Sequence, residues 1–290
     1  MKKKICLVAG DYRLDSYVAK NLNDLKLRVL FFPLFLLLII TTFLLIKGSF
    51  SIQAYTQMQK DLFLYLNVNL SKFPSIQFNL TQLGDVLVFL PFFTVFIIYA
   101  PKFWEYLLTP LLFSSIISNL LKKLFAVPRP AAIFENDSFV ILGETLFGKT
   151  SLPSGHSIAA FTILTLVFCA FMPKKVPFKV AWFFFVLISG IIIVFTRVGV
   201  GAHYPLDVII GSIVGCTSSF LGISLTKKFN PWGWIKNKKN YPLFMLLLSI
   251  WGGALIYKII TVNLMIFYFS LVALLITLFL IANIYVKKIA

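Results

Sequence analysis

Charge is scarce in this sequence: Asp, Glu, Lys and Arg make up 13% of its 290 residues, where soluble domains carry about a quarter. Acids are scarcer still, ten against 27 bases, and they form no carboxylate cluster of the kind that holds a hard divalent cation. Cysteine occurs three times, as Cys6, Cys169 and Cys216. The last two lie inside apolar runs, so neither a disulfide framework nor a Cys/His metal site is implied. A signal-peptide core is missing too: the apolar stretch 5–10 is short and runs into Asp11, Arg13 and Asp15. The formal net charge of +17 is spread over short loops without a basic stripe, so no nucleic-acid partner is expected.

What the chain has in abundance is hydrophobic residues, 59% of the total. Apolar runs of roughly 17 to 25 residues can cross a bilayer as helices, which satisfy their own backbone hydrogen bonds. Eight segments qualify, at about 29–46, 86–100, 105–121, 157–172, 179–195, 205–225, 241–257 and 262–286. The expected fold is therefore all-α, a polytopic membrane helix bundle. Its expected division is a cytoplasmic tail at 1–28, a six-helix core at 29–225 and a C-terminal transmembrane pair at 226–290. The long connection 47–85 within the core is expected outside the cytoplasm, folded back as short amphipathic helices. With the tail inside, eighteen Lys and Arg fall on the cytoplasmic side against nine on the other, as the positive-inside rule requires. Both termini are then cytoplasmic. The Lys- and Phe-rich composition, without eukaryotic targeting signals, points to a bacterial inner membrane.

Against this apolar background three polar segments stand out, each at the end of a hydrophobic run. The first is Lys122 with Arg129-Pro130; Pro128 and Pro130 stop the helix and let Arg129 turn back over whatever Lys122 approaches. Alone, this piece also reads as a snorkelling lysine and an interfacial arginine. The second is Pro153-Ser154-Gly155-His156, directly before a helix. Ser154 is a natural N-cap, while exposed N–H groups at the helix start, with Gly155 allowing close approach, make an anion site. The third is Thr196-Arg197, five residues, His203, three residues and Asp207. Gly199 and Gly201 can fold the chain between them, and Asp207 lies four residues from His203, within reach of its imidazole. Two crossings separate the second and third pieces, and Lys122 ends its helix on the same face, so all three can meet on the non-cytoplasmic side.

In these motifs the chain resembles the type 2 phosphatidic acid phosphatase family, membrane lipid phosphatases related to vanadium haloperoxidases. The family pattern is a lysine separated by six residues from Arg-Pro, then Pro-Ser-Gly-His, then Ser-Arg with five residues to His and three to Asp. Here KKLFAVPRP, PSGH and TRVGVGAHYPLD meet every spacing, with Thr196 in place of the usual serine. The resemblance covers roughly 81–225. It implies that Lys122, Arg129, Ser154, Gly155 and Arg197 bind phosphate. It further implies that His203 attacks phosphorus to give a phosphohistidine, that Asp207 orients His203, and that His156 serves as acid and then as base. No metal or cofactor is implied.

The motifs name a phosphate, not its lipid. Phosphatidic acid, phosphatidylglycerol phosphate, undecaprenyl diphosphate and lipid A are all candidate substrates, and a lipid-to-lipid phosphotransferase would carry the same motifs. A transporter fits less well: the key charges lie at helix ends and no internal repeat is visible. Elsewhere, Gly211 and Gly215 suggest close helix packing, Ser115, Ser118 and Asn119 share a face with Lys122, and the 131–152 loop is placed to cover the site.

Overall fold

The computed structural model describes residues 8–289, so Cys6 and the lysines at 2–4 lie outside the described residues. Among the described residues there are twelve α-helices and no strand. They are α1 Val8–Asn23, α2 Phe31–Ile46, α3 Ile52–Leu70, α4 Pro74–Thr81, α5 Val86–Phe89, α6 Phe96–Tyr99 and α7 Pro101–Phe125. They continue with α8 Gly155–Ala170, α9 Val176–Gly199, α10 Pro205–Phe229, α11 Tyr241–Val262 and α12 Met265–Ile289. Six of them, α2, α7, α9, α10, α11 and α12, are long and apolar enough to cross a membrane. The protein is an all-α polytopic membrane bundle.

Two of the eight expected crossings differ from plain helices. The run at 86–100 is not one helix: α5, a Leu90–Phe93 3-10 turn and α6 follow in series, and the 74–84 and 86–93 pieces meet at a bend of 94°. Pro91 lies in the break and lacks the N–H that a continuous helix would use. Carbonyls freed in this way need partners inside the protein. The Trp251 indole donates to Leu87 O at 2.8 Å, Ser270 to Val88 O at 2.8 Å, Thr94 to Pro91 O at 2.7 Å and the Trp104 indole to Phe93 O at 2.9 Å. The second departure is α8, whose 16 residues span about 24 Å, short of the roughly 30 Å hydrocarbon core.

Helix α10 is the central post, packed along α8 and α7. It approaches them closely because its contact face is glycine. A Cβ built on Gly211 would lie 2.7 Å from Ser154 O, one on Gly215 2.5 Å from Ile158 O, and one on Gly222 2.5 Å from the Pro110 backbone. The GxxxG spacing thus serves packing within the chain.

The connection 47–85 holds more structure than short surface helices. Helix α3 is 19 residues long and packs on α9 and α10, burying Tyr55, Gln59, Phe63 and Asn67. The segment expected as a tail is likewise packed. Helix α1 lies across the ends of α7, α8 and α10 remote from the three motifs, with Asn21 donating to Ala170 O at 3.0 Å and Tyr106 to Asn23 at 2.7 Å. Asp15 accepts from Lys102 N at 2.8 Å, and Lys227 donates to Asn23 O at 2.6 Å.

The glycine face can be tested directly. Gly215→Ala places a methyl against a backbone carbonyl that cannot move aside, and is expected to destabilise by about 1–3 kcal/mol. Gly253→Ala, where a Cβ meets nothing within 4 Å, should leave thermal unfolding in detergent unchanged. Equal melting temperatures for both variants would contradict this packing.

Candidate active site

The three motifs sit at one end of the bundle, placed there by helix termini. Lys122 lies in the last turn of α7, which ends as Ala126 takes a left-handed conformation, φ 47°. Ser154 caps α8: its Oγ accepts from Ser157 N at 3.4 Å and from the Ser157 hydroxyl at 2.9 Å. Arg197 ends α9 and Asp207 occupies the first turn of α10, whose first residue is Pro205. Between them the chain reverses at Gly201, φ 79°, where a Cβ would lie 2.7 Å from Val140 O. Gly199, by contrast, is helical; it allows Gln77 to approach, its Cβ position being 2.6 Å from Gln77 Oε1. The N–H groups of Ala202 and His203 both donate to Arg197 O, at 3.0 and 3.2 Å, which fixes the histidine relative to the arginine.

These elements converge. Ser154 N donates to Asp207 O at 3.0 Å, joining the start of α8 to the first turn of α10. A Cβ on Gly155 would meet Lys122 Nζ at 3.1 Å, so the ammonium lies against the N-terminus of α8. Gly84, between α4 and α5, lies against His156: a Cβ there would be 2.5 Å from the histidine Cβ. Arg129 Nη1 donates to Ala202 O at 3.3 Å and stands 3.5 Å from His203 Nε2. Arg197 donates through Nη1 to Thr81 at 2.8 Å, and its buried Nε has no hydrogen-bond partner among the described residues.

The histidine at the centre is held differently from expectation. His203 is 1% exposed, and its Nδ1 lies 2.8 Å from Ser151 O. A carbonyl only accepts, so Nδ1 carries the proton and Nε2 keeps its lone pair on the side of Arg129. Asp207 comes within 3.7 Å of Nδ1, an ion-pair distance and not a hydrogen bond. Its carboxylate instead accepts from Ser151 Oγ at 2.6 Å, Tyr55 OH at 2.8 Å and Tyr204 N at 3.0 Å. Burial, and then Arg129, Arg197, Lys122 and His156, hold the His203 imidazole well below the usual histidine range. Burial first and then Asp207 push the Tyr55 phenol well up, so it remains a donor.

All eight candidate residues therefore lie in one region, but Tyr55, Thr81 and Ser151 were not anticipated. Tyr55, Gln59, Phe63 and Asn67 recur every four residues, a stripe on one helix face that mixes polar and aromatic side chains. That spacing was the available signal. Ser151 acts on the histidine through its backbone carbonyl and leaves no trace in a motif. Thr196 turns its hydroxyl to Ile193 O in its own helix, away from chemistry. The loop 131–152 lies over the turn that carries His203, with Leu142 N donating to Val200 O at 3.2 Å, while Glu135, Asp137, Glu144 and Lys149 are exposed on it.

The family model of the PAP2 superfamily matches residues 102–231, which contain all three motifs. A lipid A 1-phosphatase of Rhizobium etli is 33% identical over 154 residues, an alignment covering 50% of this chain and 62% of that protein. An undecaprenyl-diphosphatase of Sulfolobus acidocaldarius is 27% identical over 170 residues, covering 57% of this chain and 77% of that protein. The crystal structure of Aquifex aeolicus LpxE superposes with a TM-score of 0.47 at 25% identity, covering 58% of this chain and 95% of that one.

Only two histidines occur, so histidine-selective 15N NMR reads the site cleanly, with His156→Gln leaving a single imidazole. A lowered pKa means the proton leaves at lower pH. His203 should therefore be neutral, with Nδ1–H, at pH 6.5 and above, and titrate only below it. Half-protonation at or above pH 6.5, or an Nε2–H tautomer, would contradict the arrangement.

Proposed function

Because the chain belongs to the PAP2 superfamily, we propose that it is a lipid phosphatase that hydrolyses a phosphomonoester or diphosphate of a membrane lipid through a phosphohistidine. The observation that carries the reading is an unprotonated histidine nitrogen, His203 Nε2, 3.5 Å from Arg129 Nη1 and in the field of Arg197 and Lys122. Phosphoryl transfer asks little of a protein beyond positioning and charge stabilisation. Three cations supply the charge. The buried Nε of Arg197, without a partner among the described residues, fits this role, since a phosphoryl oxygen would satisfy it.

In the first half-reaction His203 Nε2 attacks phosphorus; the N–P bond forms as the bond to the leaving oxygen breaks, and His156, protonated once the bound phosphate offsets the cations that add to burial in lowering its pKa, gives that oxygen its proton. The phosphoimidazole keeps its Nδ1–H on Ser151 O and gains positive charge, which the Asp207 carboxylate at 3.7 Å stabilises. In the second, His156 takes a proton from water, the water oxygen attacks phosphorus, and the N–P bond breaks to release phosphate. Lys122, Arg129, Arg197 and the N–H groups at the start of α8 bind the oxygens in both steps. With cations in these places we propose that the reaction runs without a metal or other cofactor.

A cleft of about 370 Å³ between α5, α7 and α8 supports a lipid substrate. Leu108, Leu111 and Leu112 line it at one end, and Ser118, Asn119 and Gly155 at the other, beside Lys122. From Leu108 to Asn119 the helix advances about 16 Å, room for part of an alkyl or prenyl chain with its phosphate at the cations. The names of the relatives favour lipid A or undecaprenyl diphosphate over the glycerophospholipids as substrates. The Lys-rich segments near 174, 227 and 238 and helix α1 occupy the opposite end of the bundle. We place that end, with both termini, in the cytoplasm, and the site on the outer face of a bacterial inner membrane.

The test is phosphate release by the detergent-solubilised protein from each candidate lipid, with and without EDTA. Release should survive EDTA and fall at least about 10³-fold in His203→Ala. His156→Ala should slow the second step, so that 32P-labelled substrate leaves acid-labile label on the protein. Release unaffected by His203→Ala would sink the mechanism, loss in EDTA would sink metal independence, and label passing to a second lipid in place of free phosphate would reassign the protein to transfer.

A further inference from the structure

We infer that Tyr55 is a positioning residue for this reaction, acting on His203 through Asp207 and Ser151. The inference rests on the phosphatase reading and extends the site into the segment between the first two membrane crossings, outside the 102–231 family match. Tyr55 is 4% exposed, and its hydroxyl donates to Asp207 Oδ1 at 2.8 Å. It is the only donor to that oxygen among the described residues. The other oxygen takes the Ser151 hydroxyl at 2.6 Å and Tyr204 N at 3.0 Å. Ser151 then presents its carbonyl to His203 Nδ1 at 2.8 Å. A continuous line of short contacts therefore runs from Tyr55 through the carboxylate and the serine to the imidazole, and every member is buried.

The direction of control follows from the geometry. Asp207 does not bond the imidazole, so its orientation reaches His203 by way of Ser151. A carboxylate with one oxygen left undonated in a buried site turns to find a partner, and its rotation would draw the Ser151 hydroxyl and carbonyl with it. Misplacement of a nucleophile by about 1 Å costs on the order of 10²-fold in rate. Tyr55 prevents that rotation.

The docking of α3 does not depend on the Tyr55 hydroxyl. Gln59 Oε1 accepts from Leu206 N at 2.8 Å. Asn67 donates to Val140 O, Val198 O and Gly199 O at 2.9, 3.0 and 3.2 Å, and accepts from Val140 N at 2.7 Å. Phe63 packs edge-on against Phe139 and Tyr204. Tyr55→Phe keeps the ring and these ties and removes only the donor, so it separates positioning from folding.

The experiment uses the full-length protein in detergent micelles with dioctanoyl phosphatidic acid as probe. Tyr55→Phe should lower kcat about 10-fold or more, leave KM within about 2-fold and shift the 15N signals of His203. In an Asp207→Asn background, whose residual rate is measured first, Tyr55→Phe should change kcat by less than about 2-fold, since the group it acts through is altered. A wild type active in a His203-dependent way but matched by Tyr55→Phe would overturn the inference, as would equal losses in both backgrounds. A wild type without His203-dependent release on any candidate lipid would instead overturn the phosphatase reading. Should Tyr55→Phe not fold, Ser151→Ala decides: it keeps the carbonyl and cuts the line one link further on. An unchanged kcat in that variant overturns the inference.

Discussion

Asp207 accepts hydrogen bonds from α3, from the 151–154 segment and from the residue that precedes its own helix. Its carboxylate takes Tyr55 of α3, Ser151 of the loop and Tyr204 N beside it, and its backbone carbonyl takes Ser154 N at the start of α8. Each bond is buried, where an unpaired polar group is costly, so the four together fix the relative placement of α3, α8, α10 and the loop. The glycine face of α10 makes this possible. Gly211 lies so close to Ser154 that no side chain fits between, and only at that separation can the first turn of α10 reach the backbone before α8.

Around this junction the chain gathers Lys122, Arg129 and Arg197, with the Asp207 carboxylate among them. Like charges this close repel, and burial adds a desolvation cost. The protein offsets part of the cost with neutral acceptors: Arg197 on Thr81, Arg129 on Ala202 O and Thr150. Arg197 Nε, buried and without a hydrogen-bond partner among the described residues, would suit a phosphoryl oxygen on the proposed reading. Burial, and then the field of these cations, hold the His203 imidazole well below the usual histidine range, which favours the neutral form that a nucleophile needs. On the proposed reading, then, burial and the gathered cations together set both the cost of the site and the reactivity of the histidine.

The sequence made the charged half of the site legible because charge is rare in it. Lys122, Arg129, Arg197, His156, His203 and Asp207 stand out from an apolar background, and counting crossings places them together. The uncharged half was hidden for physical reasons. Tyr55 and Thr81 are ordinary residues whose roles come from where α3 and α4 dock, and the Ser151 carbonyl is identical to any other carbonyl. In the fold, hydropathy found where apolar segments lie but not their continuity: 86–100 is apolar throughout, and its breaks follow from Pro91 and from partners distant in sequence. Helix α1 was unread as packed structure for a related reason, since its ties to Ala170 O and Lys102 N use acceptors and donors at the ends of other helices.

The break in that segment also gives the C-terminal helices their place. Helix α12 packs on α5 and the turn after it, and Trp251 and Ser270 hydrogen-bond the carbonyls of Leu87 and Val88. Lys258 pairs with Asp85 at 2.9 Å, while Asp85 caps α5. Without α11 and α12 these groups would face hydrocarbon, which does not tolerate them. The supported segment is not remote from the site: Thr81 holds Arg197, and Gly84 lies against His156. A straight helix through 74–99 could not bring both residues there, because the bend directs Thr81 and Gly84 to the motif residues while α5 and α6 continue through the bundle. The terminal pair thus packs against and hydrogen-bonds the broken segment that carries Thr81 and Gly84.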